Sequence, residues 1–160
     1  MEAGTEVRAS APSRGGDGGT APETGPFSRD VLARELNPPQ LEAVMYPGRP
    51  MLVVAGAGSG KTRVITYRLA RLVASGADPR RILAVTFTNK AAGELRERVG
   101  HLLHTRMGAR GGGLWVGTFH SVSARLLRQW GEAVGLRKTF VIYDDDDQKR
   151  LLARVLTDLK

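Results

Sequence analysis

Residues 55–62 read Ala-Gly-Ala-Gly-Ser-Gly-Lys-Thr, directly after the apolar run Met51-Leu52-Val53-Val54 and directly before a segment of helical hydrophobic period. A loop of small residues between a strand and a helix lets successive backbone N–H groups curl around an anion, while the helix N-terminus aims at the same charge. Gly56, Gly58 and Gly60 supply the curl. Lys61 brings a point charge for the β- and γ-phosphates of a nucleoside triphosphate, and the Thr62 hydroxyl suits the Mg²⁺ that bridges them. Ala55 stands where the strict pattern has glycine, a mild departure because alanine is nearly as small. The expectation is a phosphate-binding loop. A glycine-rich strand-to-helix turn without a ligand is the other reading of the same residues.

Hydrophobic periodicity continues the strand-then-helix alternation along the chain. Asn37-Pro38-Pro39-Gln40 opens a short helix that runs to about residue 45, with Asn37 as N-cap and Pro38 in the first turn. Strands are expected over 51–55, 82–87, 114–118 and 140–143, and helices over about 60–74, 89–103, 121–134 and 146–159. Gly76 and Gly135 stop two of the helices, Thr88 caps another, and the Gly- and Arg-rich stretch 105–113 reads as a surface loop. Strands separated by helices of this length imply right-handed parallel crossovers. The fold class is therefore α/β, with function in the loops at the strand C-termini. No internal repeat is present.

Composition sets the limits. The chain of 160 residues is long enough for one domain with a real core. Residues 1–29 are expected to stay outside it as a disordered, low-complexity tail, since Met1 to Pro26 offers almost no large apolar side chain to offset the entropy of ordering. An apolar h-region is lacking there, which argues against a targeting peptide, and no stretch approaches the length of a membrane span. The absence of cysteine excludes disulfides and thiolate metal sites and fits a cytoplasmic protein.

The net charge of +8 is unevenly distributed. Residues 1–36 hold four Arg against six acids, whereas Arg80 to Lys138 hold 11 basic residues against three acids. A domain this basic prefers a polyanion, with nucleic acid the foremost candidate. A solvated basic surface that only maintains solubility accounts for the charge equally well.

Three further segments narrow the reading of the loop: Leu36-Asn37-Pro38-Pro39-Gln40-Leu41-Glu42-Ala43-Val44, then Ala84-Val85-Thr86-Phe87-Thr88-Asn89-Lys90-Ala91-Ala92-Gly93-Glu94-Leu95, then Val116-Gly117-Thr118-Phe119-His120-Ser121. Together with the loop, in this order and spacing, they resemble the N-terminal portion of the UvrD/Rep-like superfamily 1 DNA helicases, from about Leu36 to Lys160. The resemblance implies a P-loop NTPase fold of RecA-like type, a parallel sheet flanked by helices, here incomplete and entering an inserted helical subdomain at its last helix. It implies ATP and Mg²⁺ as cofactors, single-stranded DNA or a 3′-tailed duplex as partner, 3′ to 5′ translocation, and a place in DNA repair or replication.

Roles follow for matching positions. Gln40 corresponds to a glutamine that recognises adenine, and a side-chain amide can pair with the N6 and N7 edge of that base. Asn37-x-x-Gln40 also fits a helix capping box, which leaves a purely local role open. Ala55, Gly56, Ala57, Gly58, Ser59, Gly60, Lys61, Thr62 and Arg63 form the rest of the nucleotide site, with Lys61 and Thr62 catalytic and Thr62 on the metal. Phe87, Thr88, Asn89 and Lys90 match a segment that lies on single-stranded DNA, where an aromatic stacks a base and a helix N-terminus meets phosphate. Phe87 as a core strand residue and Thr88 as an ordinary cap are the structural alternatives. Thr118, Phe119, His120 and Ser121 look like a second DNA-contacting loop. Gly93 interrupts a helix where many relatives carry a larger residue.

Phe140-Val141-Ile142-Tyr143-Asp144-Asp145 imitates a Walker B strand, an apolar run ending in acids. It also resembles the segment by which these helicases leave the first ATPase lobe, and Asp144 to Asp147 suit the cap of the final helix. The family's Walker B acids and arginine fingers are expected beyond this chain. On that basis these residues supply ATP binding and part of the DNA surface without complete catalysis. A stand-alone P-loop ATPase or kinase using Asp144 or Asp145, and a non-enzymatic module for single-stranded DNA, are the two alternatives. His101-x-x-His104 has helical spacing for a metal pair, but no third ligand lies near it in sequence.

Overall fold

The computed structural model describes residues 6–8, 24–47, 50–108 and 113–159. The chain divides into one unit over Met1–Phe119 and another over His120–Lys160. The first holds β1 (Glu6–Arg8), α1 (Arg29–Leu32), α2 (Pro38–Met45), β2 (Leu52–Val54), α3 (Lys61–Ala74), β3 (Leu83–Thr86), α4 (Asn89–Met107) and β4 (Trp115–Thr118). Helix α5 (Phe119–Trp130) begins at the division, and α6 (Asp145–Asp158) completes the second unit.

Local chemistry accounts for the helix ends. Asn37 Oδ1 accepts from the Gln40 N–H at 3.0 Å while Gln40 Oε1 accepts from the Asn37 N–H at 3.3 Å, a reciprocal box that starts α2. Thr88 Oγ1 accepts from the Ala91 N–H at 3.1 Å and starts α4. That helix runs to Met107, past the expected end near residue 103, because Thr105-Arg106-Met107 sustains it until Gly108, at φ 64°, turns the chain and donates to the His104 carbonyl at 2.9 Å.

The core of the first unit forms where α3 and α4 meet α2 and the segment before it. Val64, Leu69 and Ala70 of α3 face Ala92, Leu95, Val99 and Leu103 of α4, joined by Leu41, Ala43 and Val44 of α2 and by Phe27, Leu32 and Leu36. Each buried Val or Leu contributes about 1.5–3 kcal/mol, so this cluster supplies the main drive for ordering the unit. Three arginines serve its backbone. Arg68 Nη1 donates to the Ala43 and Tyr46 carbonyls at 2.9 and 3.0 Å, closing the C-terminal end of α2. Arg96 donates to the Val116 carbonyl at 2.6 Å, and Arg106 to the Pro26 carbonyl at 2.6 Å.

Strands β3 and β4 pair in parallel, with Leu83 opposite Trp115 and Thr86 opposite Thr118, and α4 lies in the connection between them. Strand β2 pairs antiparallel with β1. The architecture is mixed helix and strand with a small parallel sheet, and the single parallel sheet read from the sequence is resolved into two separate pairs. Within the expected tail, Glu6–Arg8 form β1 and Phe27 and Ser28 are buried; the rest of it up to residue 23 falls outside the described residues.

The expected strand at 140–143 does not form. Val141 is 74% exposed, and no neighbouring strand among the described residues offers this run a ladder. In the second unit the Arg128 guanidinium lies 4.8 Å from the centroid of the Phe140 ring, and Gly131 and Leu136 make a close turn. No helix among the described residues is long and apolar enough to cross a membrane.

Candidate functional site

The loop after β2 takes its shape from two left-handed glycines, Gly58 at φ 75° and Gly60 at φ 87°. Ser59 Oγ donates to the Gly56 carbonyl at 2.7 Å, and Lys61 Nζ donates to the Ala55 and Gly56 carbonyls at 2.8 and 2.6 Å. Lysine is thereby folded back over the loop. The N-cap of α3 is Gly60, which has no side chain to satisfy the first N–H groups, and the first turn carries no acid. Lys61 and Arg63 occupy it instead. Cations at the positive end of a helix repel the dipole, and among the described residues no side chain caps its first N–H groups. A bound polyanion cures both defects. Thr62 is exposed on the same turn, and one hydroxyl beside phosphate oxygens suits Mg²⁺, which keeps most of its coordination for waters and phosphates.

Gln40 reaches this loop. Its Nε2 donates to the Ser59 carbonyl at 3.0 Å while its Oε1 serves the capping box. A primary amide has two N–H donors and two acceptor lone pairs, so one of each remains, which is the complement of the adenine N7 and N6 edge. The capping role and an adenine-reading role are therefore compatible. A Cβ at Gly60 would lie 2.6 Å from Gln40 Nε2 and would push the Gln40 amide off the Ser59 carbonyl, while the φ of 87° itself favours glycine. The sequence did not disclose this contact, because Gln40 and Ser59 lie 19 positions apart.

Arg63 turns toward the segment before α2. Its Nη2 donates to the Glu35 carbonyl at 2.9 Å, and its guanidinium lies 5.4 Å from the Tyr67 ring centroid. The Tyr67 hydroxyl donates to Glu35 Oε2 at 2.5 Å, and Arg106 pairs with Glu35 Oε1. Arg106 also lies over the Phe27 and Tyr67 rings, at 5.2 and 5.6 Å. The Tyr67 hydroxyl and the Arg106 guanidinium hold the Glu35 carboxyl below its ordinary range, while burial and the adjacent carboxylate push the Tyr67 hydroxyl up.

At the C-terminal end of the parallel pair the register matters. Thr86 faces Thr118, so the next residues, Phe87 and Phe119, emerge side by side with ring centroids 5.5 Å apart at an interplanar angle of 52°. Phe87 is 90% exposed and Phe119 is 53% exposed. A core role for Phe87 is thereby excluded. Thr88 performs the expected capping, and Asn89 and Lys90 stand exposed on the first turn of α4, which has no acid. Thr118 is buried, so it supports the strand end from within. His120 and Ser121 are exposed in the first turn of α5.

Residues 36–160 match the UvrD/REP helicase N-terminal domain. The chain belongs to this family. It is 50% identical over 134 residues to the ATP-dependent DNA helicase PcrA of Leuconostoc citreum, covering 83% of this chain and 18% of that protein. It is also 50% identical over 137 residues to the ATP-dependent DNA helicase UvrD1 of Mycobacterium bovis (84% and 17%) and over 126 residues to DNA helicase II of Escherichia coli (78% and 17%). The chain thus spans less than a fifth of the length of these relatives.

In this UvrD/REP family chain the aspartates after Tyr143 serve a helix. Asp144 Oδ1 accepts from the Asp146 and Asp147 N–H groups at 3.0 and 2.8 Å, and the Asp147 carboxylate accepts from the Asp144 N–H at 3.4 Å. Among the described residues no group of three or more His, Cys, Asp or Glu is arranged to hold a metal ion.

Proposed function

We propose that this chain carries the ATP-binding loop and part of the single-stranded DNA surface of an ATP-dependent DNA helicase, built on a RecA-like lobe, and that these residues alone turn ATP over slowly or not at all. One observation carries the nucleotide reading: α3 starts uncapped, on a left-handed glycine, with Lys61 folded over the loop and no acid in its first turn. On binding, Lys61 leaves the Ala55 and Gly56 carbonyls for the β- and γ-phosphates, the loop N–H groups take the remaining oxygens, and Gln40 pairs with adenine. Mg²⁺ on Thr62 would offset the charge that develops during phosphoryl transfer. Asp144 and Asp145 do not supply the acids of a stand-alone ATPase in this reading, because the first is a helix cap and residues 140–143 just before them form no strand.

The names of the relatives support DNA as the polymer, and Phe87 with Phe119 offers it a stacking surface. Movement 3′ to 5′ on single-stranded or 3′-tailed DNA, in repair or replication and in the cytoplasm, is the role proposed for the protein as a whole. Titration of the chain with ATP and Mg²⁺ tests the reading. Lys61→Ala should weaken binding about 10- to 100-fold, the equivalent of one or two charge-assisted hydrogen bonds. Equal affinity in wild type and Lys61→Ala would refute the assignment of the loop.

A further inference from the structure

The segment Glu35 to Gln40 is fastened to the nucleotide loop and its helix at both ends. At one end Arg63, one residue past Thr62, donates to the Glu35 carbonyl at 2.9 Å; at the other, Gln40 Nε2 donates to the Ser59 carbonyl at 3.0 Å. Between them Leu36 is buried and Asn37 locks the Gln40 side chain through the capping box. The Glu35 end is held in turn by its own carboxylate, which takes the Tyr67 hydroxyl from α3 on one oxygen and Arg106 from the last turn of α4 on the other. Arg106 spans this junction, its other guanidinium nitrogen donating to the Pro26 carbonyl at 2.6 Å and its plane covering the Phe27 and Tyr67 rings. A planar fork that meets a carboxylate, a carbonyl and two rings leaves little freedom to what it holds.

We propose that Arg106 is a positioning residue for base recognition: acting through Glu35 and Tyr67, it fixes the segment that presents Gln40, so that the preference for adenine is set in part from the far end of α4. The inference rests on Gln40 reading adenine, and it extends that reading to residues that touch no nucleotide. It requires base selectivity and phosphate affinity to separate. The phosphate-binding groups sit on the loop and the first turn of α3, whereas the clamp acts on the segment ahead of α2.

The test is the ratio of GTP to ATP dissociation constants, measured with the full chain alongside its affinity for inorganic tripolyphosphate. Arg106→Ala should lower the ratio about fivefold, the scale of one net hydrogen bond, and leave tripolyphosphate affinity unchanged. Arg106→Lys, which keeps the charge but not the fork, should recover part of the ratio. Tyr67→Phe keeps the ring beneath both arginines and removes only the hydroxyl, so it should lower the ratio with little risk to folding. An unchanged ratio in Arg106→Ala and Tyr67→Phe, with wild type preferring ATP, would overturn the inference while leaving the Gln40 reading in place. Parallel loss of ATP and tripolyphosphate affinity would overturn it as well, by reducing Arg106 to a general structural role. A wild type that does not distinguish ATP from GTP would sink the Gln40 reading, and this inference with it.

Discussion

Glu35 shows how a single side chain in this molecule serves several neighbours. Its carboxylate faces the Tyr67 hydroxyl and Arg106, with Arg63 close by on its backbone carbonyl, and these groups hold it below its ordinary value of 4.5. A carboxyl whose pKa falls on folding contributes stability above the unfolded value and loses it as pH drops through the folded value. Denaturant melts of wild type and Glu35→Gln should therefore diverge near neutral pH and converge in acid, with the variant showing the shallower pH dependence below about pH 4.5. Parallel curves would mean that the carboxylate is not held in this way. Tyr67 has the opposite sign: raised above 10.0, it contributes below that value and loses the contribution as pH rises through the folded value. Neither role was legible in the sequence, where Glu35 and Arg106 lie 71 positions apart and carry no motif. The capping box was legible, because its partners are three residues apart and its chemistry is local.

At the scale of elements, α3, α4 and α5 each follow a strand and none has an acid in its first turn, whereas α6 opens with three aspartates under an aspartate cap. The contrast lies in charge: α6 sets acids against the positive end of its dipole, whereas the first turns of α3, α4 and α5 carry none, although Thr88 caps α4. That these three helices follow apolar strands could be read in advance from Gly-Lys-Thr, Thr-Asn-Lys and Phe-His-Ser after apolar runs. The strand expected at 140–143 could not, since its apolar residues match a strand pattern but a strand also needs a neighbour, and pairing is not written in the run itself. Gly93 gives α4 a clean test of propensity. A Cβ there meets nothing within 4 Å, and its φ is not in the left-handed region. Gly93→Ala should stabilise the chain by up to about 1 kcal/mol in chemical denaturation. A destabilised variant would mean that α4 needs the glycine for a contact absent from this structure.

For the whole molecule, the basic excess divides into two uses. Arg68, Arg96 and Arg106 donate to carbonyls of the packed unit, while Lys61, folded over its own loop, and Lys90 stand exposed at helix starts. Net charge alone could not distinguish the internal from the exposed group, which is why composition left nucleic acid and simple solubility equally open. Leu52, Val54 and Leu83, which a sheet covered on both faces would bury, are exposed. In the proposed function, two anion-binding ends, one for ATP and one for DNA, lie on different strand-to-helix junctions and can be disabled separately. The most direct measurement is the affinity of one set of samples, wild type, Lys61→Ala and Phe87→Ala, for ATP with Mg²⁺ and, without nucleotide, for a short single-stranded DNA. Phe87→Ala should weaken DNA binding by about 1–3 kcal/mol, the worth of one stacked base, and leave ATP affinity intact; Lys61→Ala should do the reverse. Wild-type DNA affinity in Phe87→Ala, or loss of both ligands in either variant without loss of fold, would contradict the account.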